Sequence, residues 1–231
     1  MRVLELFAGS RSIGKVCDDQ GYECFSTDIE PFNGIDYVVD IFDFEVSKVP
    51  FIPNVIWASP PCQAFSVACI GKNWVKGQPF TPKHERAELG IKIVEKTLEI
   101  IEYFCGHNPD LMWYMENPRG KLRKAPFMQD YIRHCVTYCQ YGDTRMKPTD
   151  IWTNNEMWTP RPSCNNGDKC HVSAPRGSRT GTQGLKGDYE RSKVPSELCL
   201  EVLASTNAQY VSPEIEQLRL FTNNFFKKLI Q

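Results

Sequence analysis

Cys62 closes the run Ser59-Pro60-Pro61-Cys62-Gln63, which follows the apolar stretch Val55-Ile56-Trp57. Glu116 closes a second apolar stretch that begins at Leu111 and runs on into Asn117-Pro118. A thiol is a nucleophile and a carboxyl is an acid or a hydrogen-bond partner, so the two could act together on one small planar substrate. In an open α/β sheet, ligands bind outside the carboxyl ends of the strands, which would place both groups in one cleft. Alone, a cysteine such as Cys62 is more often a small buried hydrophobe than a nucleophile. The two prolines ahead of it stiffen the approach and withhold backbone donors, presenting the thiol at a fixed angle beyond the sheet edge.

The elements that must position this pair follow from hydrophobic periodicity. Val3 to Phe7 reads as a buried strand, Ala8 to Gly14 as a glycine-containing turn, the stretch to Gln20 as a helix, and Tyr22 to Thr27 as a strand ending at Asp28. Val38 to Asp40 and Val55 to Ala58 add strands, and Ile91, Val94, Leu98 and Ile101 recur at helical spacing within Glu85 to Phe104. With Leu111 to Met115, Val136 to Tyr141 and Asp150 to Thr153 as further strands, the expectation is a doubly wound, Rossmann-like α/β sheet over residues 1–154. Residues 155–190 turn to Pro, Gly, Ser, Thr and basic residues without an apolar period, and read as a small loop-rich inserted module. Helical sequence resumes from Pro195 to Leu203 and again after Ser212-Pro213, so 191–231 returns to the main domain. The connection from Ala64 to His84 is long enough to be a mobile active-site loop.

A chain of 231 residues with 41% apolar content can bury one full core plus a small appendage. No window reaches the run of about 18 apolar residues that a membrane span needs, and the N-terminus opens on a strand rather than a signal peptide, so a cytoplasmic protein with no membrane partner is expected. The ten cysteines are scattered through core-like segments, which favours reduced thiols over a disulfide scaffold. The net charge of −1 hides an asymmetry: residues 1–50 hold 4 Lys and Arg against 10 Asp and Glu, whereas residues 119–193 hold 14 against 7. A polyanion would meet the later half, unless the excess is an ordinary solvated surface.

The turn after the first strand lacks the three-glycine phosphate fingerprint and the P-loop lysine, so an adenosyl ligand without phosphates suits it better than a dinucleotide. Asp28, ending the second strand, could accept from ribose hydroxyls and Asp40 from an adenine amino group, though either could equally be a turn or cap residue. Here the motifs become specific. Phe7-Ala8-Gly9, the run Ser59-Pro60-Pro61-Cys62-Gln63-Ala64-Phe65-Ser66, Glu116-Asn117, Arg145-Met146-Lys147 and Val194-Pro195 stand in an order that resembles the DNA cytosine C5-methyltransferases, over most of the chain outside 155–190.

That resemblance implies a Rossmann-like, S-adenosylmethionine-dependent methyltransferase sheet and a covalent mechanism. Cys62 would add to C6 of a cytosine, Glu116 would hydrogen-bond N3, and C5 would become nucleophilic enough to accept a methyl group. Arg145 and Lys147 would complete the catalytic set, one reaching the cytosine O2 and the other a phosphate or the adduct. The cofactor contacts carried over are Phe7, Gly9, Ser12, Ile13, Asp28, Ile29, Asp40, Ile41 and Pro60. Those toward the substrate are Gln63, Ser66, Lys72, Asn117, Arg161 and Arg176. The partner implied is double-stranded DNA bound by a monomer, with its target cytosine flipped from the stack, and Lys72, Trp74 and Lys76 would close over that base unless Trp74 merely anchors the loop in a hydrophobic notch. The compactness suits a phage or mobile-element setting. RNA methylation and an inactive DNA-binding relative are the alternatives, the second opposed by the intact Cys62, Glu116 and Arg145.

The chain departs from the family pattern in three places: Lys147 where an Arg is usual, Pro118 where a Val is preferred, and Ser192-Lys193 where an Asn is usual. A lysine cannot reproduce a planar two-pronged contact. The short module after Thr153 implies loose sequence discrimination through Arg161, Lys169, Arg176, Arg179 and Lys186. Cys164, Cys170 and His171 cluster in this core-poor piece, where a zinc could stand in for packing, with Cys139 as a fourth ligand. The spacing fits no familiar finger, and no metal residues are assigned.

Overall fold

The computed structural model describes residues 1–173 and 187–210. Seven strands form one sheet in the order β3-β2-β1-β4-β5-β7-β6: β1 Arg2–Leu6, β2 Glu23–Asp28, β3 Tyr37–Val38, β4 Val55–Ala58, β5 Met112–Pro118, β6 Ile132–Thr137 and β7 Pro148–Thr153. The first five are parallel, and β7 enters between β5 and β6 antiparallel to both. The winding reverses between β1 and β4, since the chain goes outward through β2 and β3 and then returns to lay β4 on the other side of β1. A crevice for ligands therefore opens at the carboxyl ends of β1 and β4.

Strand alternation distributes the core over both faces. Leu4, Leu6, Ile56, Ala58, Trp113 and Met115 pack on one side with helix α3, Glu85–His107, whose Ala87, Val94, Leu98, Ile101 and Phe104 form the expected apolar stripe. Val3, Val55, Trp57 and Tyr114 pack on the other with helix α1, Ser12–Gln20, and helix α5, Ser196–Tyr210. All four residues of β4 are buried, as a central parallel strand covered on both faces requires. Two short helices, α2 (Ile70–Asn73) and α4 (Asp188–Ser192), lie in connections. Among the described residues, no helix is long and apolar enough to cross a membrane.

Three expectations change. The strand foreseen at Val136 to Tyr141 ends at Thr137, and Tyr138–Tyr141 form a single 3-10 turn closed by Gly142 at φ 81°. The two tyrosines that mimicked a strand end are buried by that turn instead. The strand foreseen at Val38 to Asp40 stops at Val38, because Asp40 caps the next turn by accepting from the Phe42 N–H. The Ala64–His84 connection is anchored: Trp74 is buried against Phe65 and Phe80 and donates to the Ala64 carbonyl at 2.8 Å, so it belongs to the core and covers no base. Trp158 also lies in the core with Tyr114 and α5, so the residues just past Thr153 begin inside the main domain. The helix foreseen after Pro213, and Arg176, Arg179 and Lys186, lie outside the described residues.

Candidate active site

Parallel pairing of β4 with β5 sets Ala58 beside Met115, so the segments that continue past them, Ser59 to Cys62 and Glu116-Asn117, leave the sheet side by side. Asn117 fastens one to the other. Its buried side chain donates from Nδ2 to the Pro60 carbonyl at 2.9 Å, two residues before the thiol. Cys62 then opens a short 3-10 turn through Ala64, with its carbonyl accepting from the Phe65 and Ser66 N–H groups. Two glycines admit that turn. A Cβ on Gly90 of α3 would lie 2.3 Å from the Ala64 methyl, and one on Gly120 would lie 2.3 Å from the Phe65 carbonyl oxygen. The thiol is half-buried, and none of the ten cysteines is in a disulfide.

Glu116 is almost wholly buried, and the Tyr138 hydroxyl donates to its Oε1 at 3.0 Å. Lys147 Nζ stands 3.8 Å from the same oxygen, donates to the Arg191 carbonyl at 3.0 Å, and lies 4.5 Å from the centre of the Tyr138 ring. Burial pulls the Lys147 ammonium below its ordinary range; the charge of Glu116 opposes that pull and that of Arg145 adds to it. Tyr138 is pushed well above the usual phenol range, first by burial and then by Glu116, which keeps its proton in place as a donor.

Arg145 differs from expectation. Its Nε and Nη2 hold the Asp143 carboxylate, Nη1 reaches the carbonyls of Glu190 and Arg191, and Nη2 reaches that of Lys193. Those contacts take all five guanidinium N–H groups, so Arg145 clasps the strand end to the 190–193 segment and offers no donor to a base. Arg161 is likewise turned inward, onto Glu197, Glu201 and the Gln140 carbonyl, and its ring neighbour is Tyr141. Asn117 is fully buried; its amide nitrogen holds the Pro60 carbonyl, while its Oδ1 has no partner in the structure. Gln63 and Lys72 are exposed beside the thiol turn, and Ser66 is half-buried against Gly120.

The turn after β1 is the second half of the crevice. Phe7 at φ 58°, Arg11 at φ 53° and Lys147 at φ 28° are the non-glycine residues in left-handed conformation among the described residues, and Phe7 directly follows β1. Such conformations cost about 1–3 kcal/mol each and persist where surrounding structure enforces them. Asp28 accepts from the Gly9 N–H through Oδ2 at 2.9 Å and from the Glu30 N–H through Oδ1 at 3.0 Å. A carboxylate has about four lone-pair sites, so two remain for the hydroxyls of a ribose. Ile29 next to it is 59% exposed, an apolar platform at the strand end, whereas Ile13 and Ile41 are buried in the core. Ser12 accepts from the Val194 N–H at 3.1 Å and shares a hydrogen bond with Ser10, Asp40 is occupied as a cap, and the Pro60 carbonyl is held by Asn117. The residues present therefore fit an adenosyl group near Phe7, Gly9, Asp28 and Ile29.

Glu5, Tyr138 and Asp143 escaped the sequence reading. The Glu5 carboxylate, on β1, accepts from the Ile13 and Gly14 N–H groups at 3.0 and 2.9 Å, capping α1 from beneath, and burial pushes it up to about 7 against those donors. The signal available was an acidic residue in the middle of an otherwise apolar strand. Beyond the crevice, Arg119, Arg123 and Arg133 line a cavity of about 340 Å³ with Thr137, Met146 and Ser163. Arg123 is paired there with the buried Asp150. The structure also gathers Cys139, Cys164, Cys170 and His171, although no metal residues were assigned from sequence.

No family model matches the chain. A probable DNA (cytosine-5)-methyltransferase of Frog virus 3 (isolate Goorha) is 28% identical over 230 residues, spanning 88% of this chain and 99% of the relative. Among solved structures, Dnmt2 methyltransferase of S. pombe aligns at 15% identity and TM-score 0.42 over 66% of this chain and 48% of its own. Entamoeba histolytica EhMeth gives 11% and 0.47 over 66% and 52%, and a Spodoptera frugiperda DNMT2 mutant gives 17% and 0.43 over 68% and 51%. The chain thus spans about half the length of those structures. Along 88% of its length, then, the chain is similar to a viral protein described as a probable DNA (cytosine-5)-methyltransferase.

Proposed function

We propose that this protein transfers a methyl group to C5 of cytosine in DNA, with S-adenosylmethionine, when bound, supplying the methyl group. The observation that carries the reading is the pairing of adjacent strand ends: Asn117, next to Glu116, holds the Pro60 carbonyl two residues before Cys62, and Lys147 stands 3.8 Å from the Glu116 carboxyl. C5 of cytosine is a poor nucleophile until a thiolate adds at C6 and pushes electron density onto it. Cys62 is the adding group, and Lys147 favours its thiolate. Glu116 meets N3 and hands it a proton as C6 is attacked, taking up the negative charge that addition pushes onto the ring, and the Tyr138 hydroxyl aims the carboxyl. Asn117 and Arg145 are positioning residues, one through the Pro60 carbonyl and the other through Asp143 and the 190–193 backbone. A base inside a duplex cannot reach the half-buried thiol without leaving the stack, so the target is flipped. The arginine-lined cavity supports a phosphate-bearing partner.

Transfer of tritiated methyl to DNA is expected from the wild type and absent from Cys62→Ser, which still binds cofactor. DNA carrying 5-fluorocytosine should be trapped in an SDS-resistant complex, because fluorine blocks loss of the C5 proton after addition. Turnover by Cys62→Ser, or no trapped complex, overturns the covalent mechanism. Methylation of matched RNA in preference to DNA overturns the substrate.

A further inference from the structure

Cys139, Cys164, Cys170 and His171 come from three parts of the chain: the turn after β6, the loop after β7, and a dipeptide six residues further on. Their ligand atoms all lie within 4.8 Å of one another. Cys170 Sγ stands 3.6 Å from Cys139 Sγ, and the sulfurs of Cys164 and Cys170 stand 3.7 and 3.6 Å from His171 Nδ1. The Cys139 and Cys164 sulfurs are closer, at 3.1 Å. Zinc–sulfur bonds of about 2.3 Å and a zinc–nitrogen bond of about 2.0–2.1 Å, arranged tetrahedrally, separate two sulfurs by about 3.8 Å and a sulfur from a nitrogen by about 3.6 Å. Three of the four separations match those edges to within about 0.2 Å. Three thiols and an imidazole meeting at a point, in a stretch of loop with little apolar content, have no packing reason to converge.

We propose that these four residues form a structural zinc site. A thiolate-rich tetrahedral set selects zinc among the common divalent ions, and four protein ligands leave no open position for catalysis. The backbone around the cluster is already arranged for it. The Cys164 N–H donates to the Thr137 hydroxyl at 3.0 Å, and the loop reverses through reciprocal Asn165 and Asp168 hydrogen bonds at 2.7 and 3.1 Å. The Val172 N–H donates to the Thr144 carbonyl at 2.9 Å, bringing His171 back to the turn that holds Cys139. Cys139 directly follows Tyr138, whose hydroxyl holds Glu116, so the ion ties the loop after β7 to the element that aims the candidate catalytic carboxyl. Each of the three thiols gives up its proton on binding, and with a neutral imidazole the filled site carries a net charge of −1.

The test is elemental analysis of the full chain purified without chelator, together with cobalt titration of the apoprotein. One zinc per chain is expected, together with the intense visible absorption of tetrahedral thiolate-bound cobalt, bleached by added zinc. Cys164→Ser and Cys170→Ser should each lose zinc, whereas Cys105→Ser, distant in helix α3, should keep it. Where a cluster variant fails to fold, the cobalt spectrum of the wild type decides alone. A wild type that takes up neither ion, a cluster variant that retains full zinc, or a Cys139–Cys164 disulfide found by mass spectrometry in freshly reduced and re-purified protein would overturn the proposal. None of these readouts depends on methyl transfer, so the site stands or falls apart from the proposed activity.

Discussion

Replacing Tyr138 by Phe removes the contact that aims Glu116, together with a side-chain hydrogen bond to Thr149. The ring is fully buried and stays, keeping its packing and its place beneath Lys147; only the hydroxyl at 3.0 Å from Oε1 is lost. Leaving a buried acceptor without its donor costs about 1–3 kcal/mol, and Glu116 is too deeply buried for water to replace the donor. For a domain of this size each kcal/mol moves the melting temperature by roughly 2–4 °C, so Tyr138→Phe should melt roughly 2–12 °C below wild type by calorimetry. If the carboxyl must meet a ring nitrogen as charge develops, most of the same energy reappears in the barrier. At about 1.4 kcal/mol per factor of ten, single-turnover methyl transfer at saturating cofactor should fall roughly ten- to hundredfold. Cofactor affinity, set around Phe7, Gly9 and Asp28, should not change. A melting temperature within a degree of wild type would refute the hydrogen bond. A lowered melting temperature with unchanged single-turnover rate would keep the bond and remove Glu116 from the chemistry.

Lys147→Met should slow alkylation of Cys62 by iodoacetamide about tenfold or more at neutral pH, since an opposite charge nearby shifts a titration by about 1–3 units, whereas Lys147→Arg should restore it; equal rates in all three proteins would show that the ammonium does not act on the thiol. Arg119→Ala, at the rim of the arginine-lined cavity, should weaken duplex binding about equally across sequences and reduce the salt slope of log K by about 1, and an unchanged slope would remove the cavity from the phosphate path. Glu5 takes its proton near 7 when folded and near 4.5 when unfolded, so the folded state binds more protons between those values and stability falls as pH rises through that window, by up to about 3 kcal/mol. Glu5→Gln should flatten melting temperature against pH between 5 and 7, and parallel curves for the two proteins would place the folded carboxyl near its unfolded value.

The parts of this molecule that were legible in its sequence are those set by local pattern. Val55 to Ala58 could be read as a central strand because burial on both faces leaves no polar position, and Glu85 to Phe104 as a helix because one face alone is covered. Strand ends in a doubly wound sheet share one edge, which brought Cys62 and Glu116 together before any coordinates. What escaped was set by pairings between distant segments. Arg145 was expected to reach the cytosine O2, a phosphate or the adduct on the strength of its motif, but its partners are a carboxylate two residues away and three carbonyls more than forty residues on. Arg161 reads as a phosphate contact in a basic loop, yet two glutamates at one-turn spacing on α5 hold it.

The same reasoning explains why Tyr138 was passed over, and why Asn117, read from sequence as a substrate contact, holds backbone instead. Asn117 lies on β5, where register with β4 is dictated by the parallel ladder, so its neighbour had to be the segment leading to Cys62. Tyr138 lies one residue past the end of β6, where a ladder ceases to dictate position and a 3-10 turn takes over. β6 reaches β5 only through β7, so whether its next residue points at Glu116 depends on how the turn closes at Gly142 and where Cys139 is drawn. A ligand set that pins Cys139 would then fix the orientation of Tyr138 more firmly than the strand before it does. The carboxyl at the centre of the crevice is aimed from one side by sheet register and from the other by the loop after β7, which is why a short, core-poor module can matter to chemistry it does not touch.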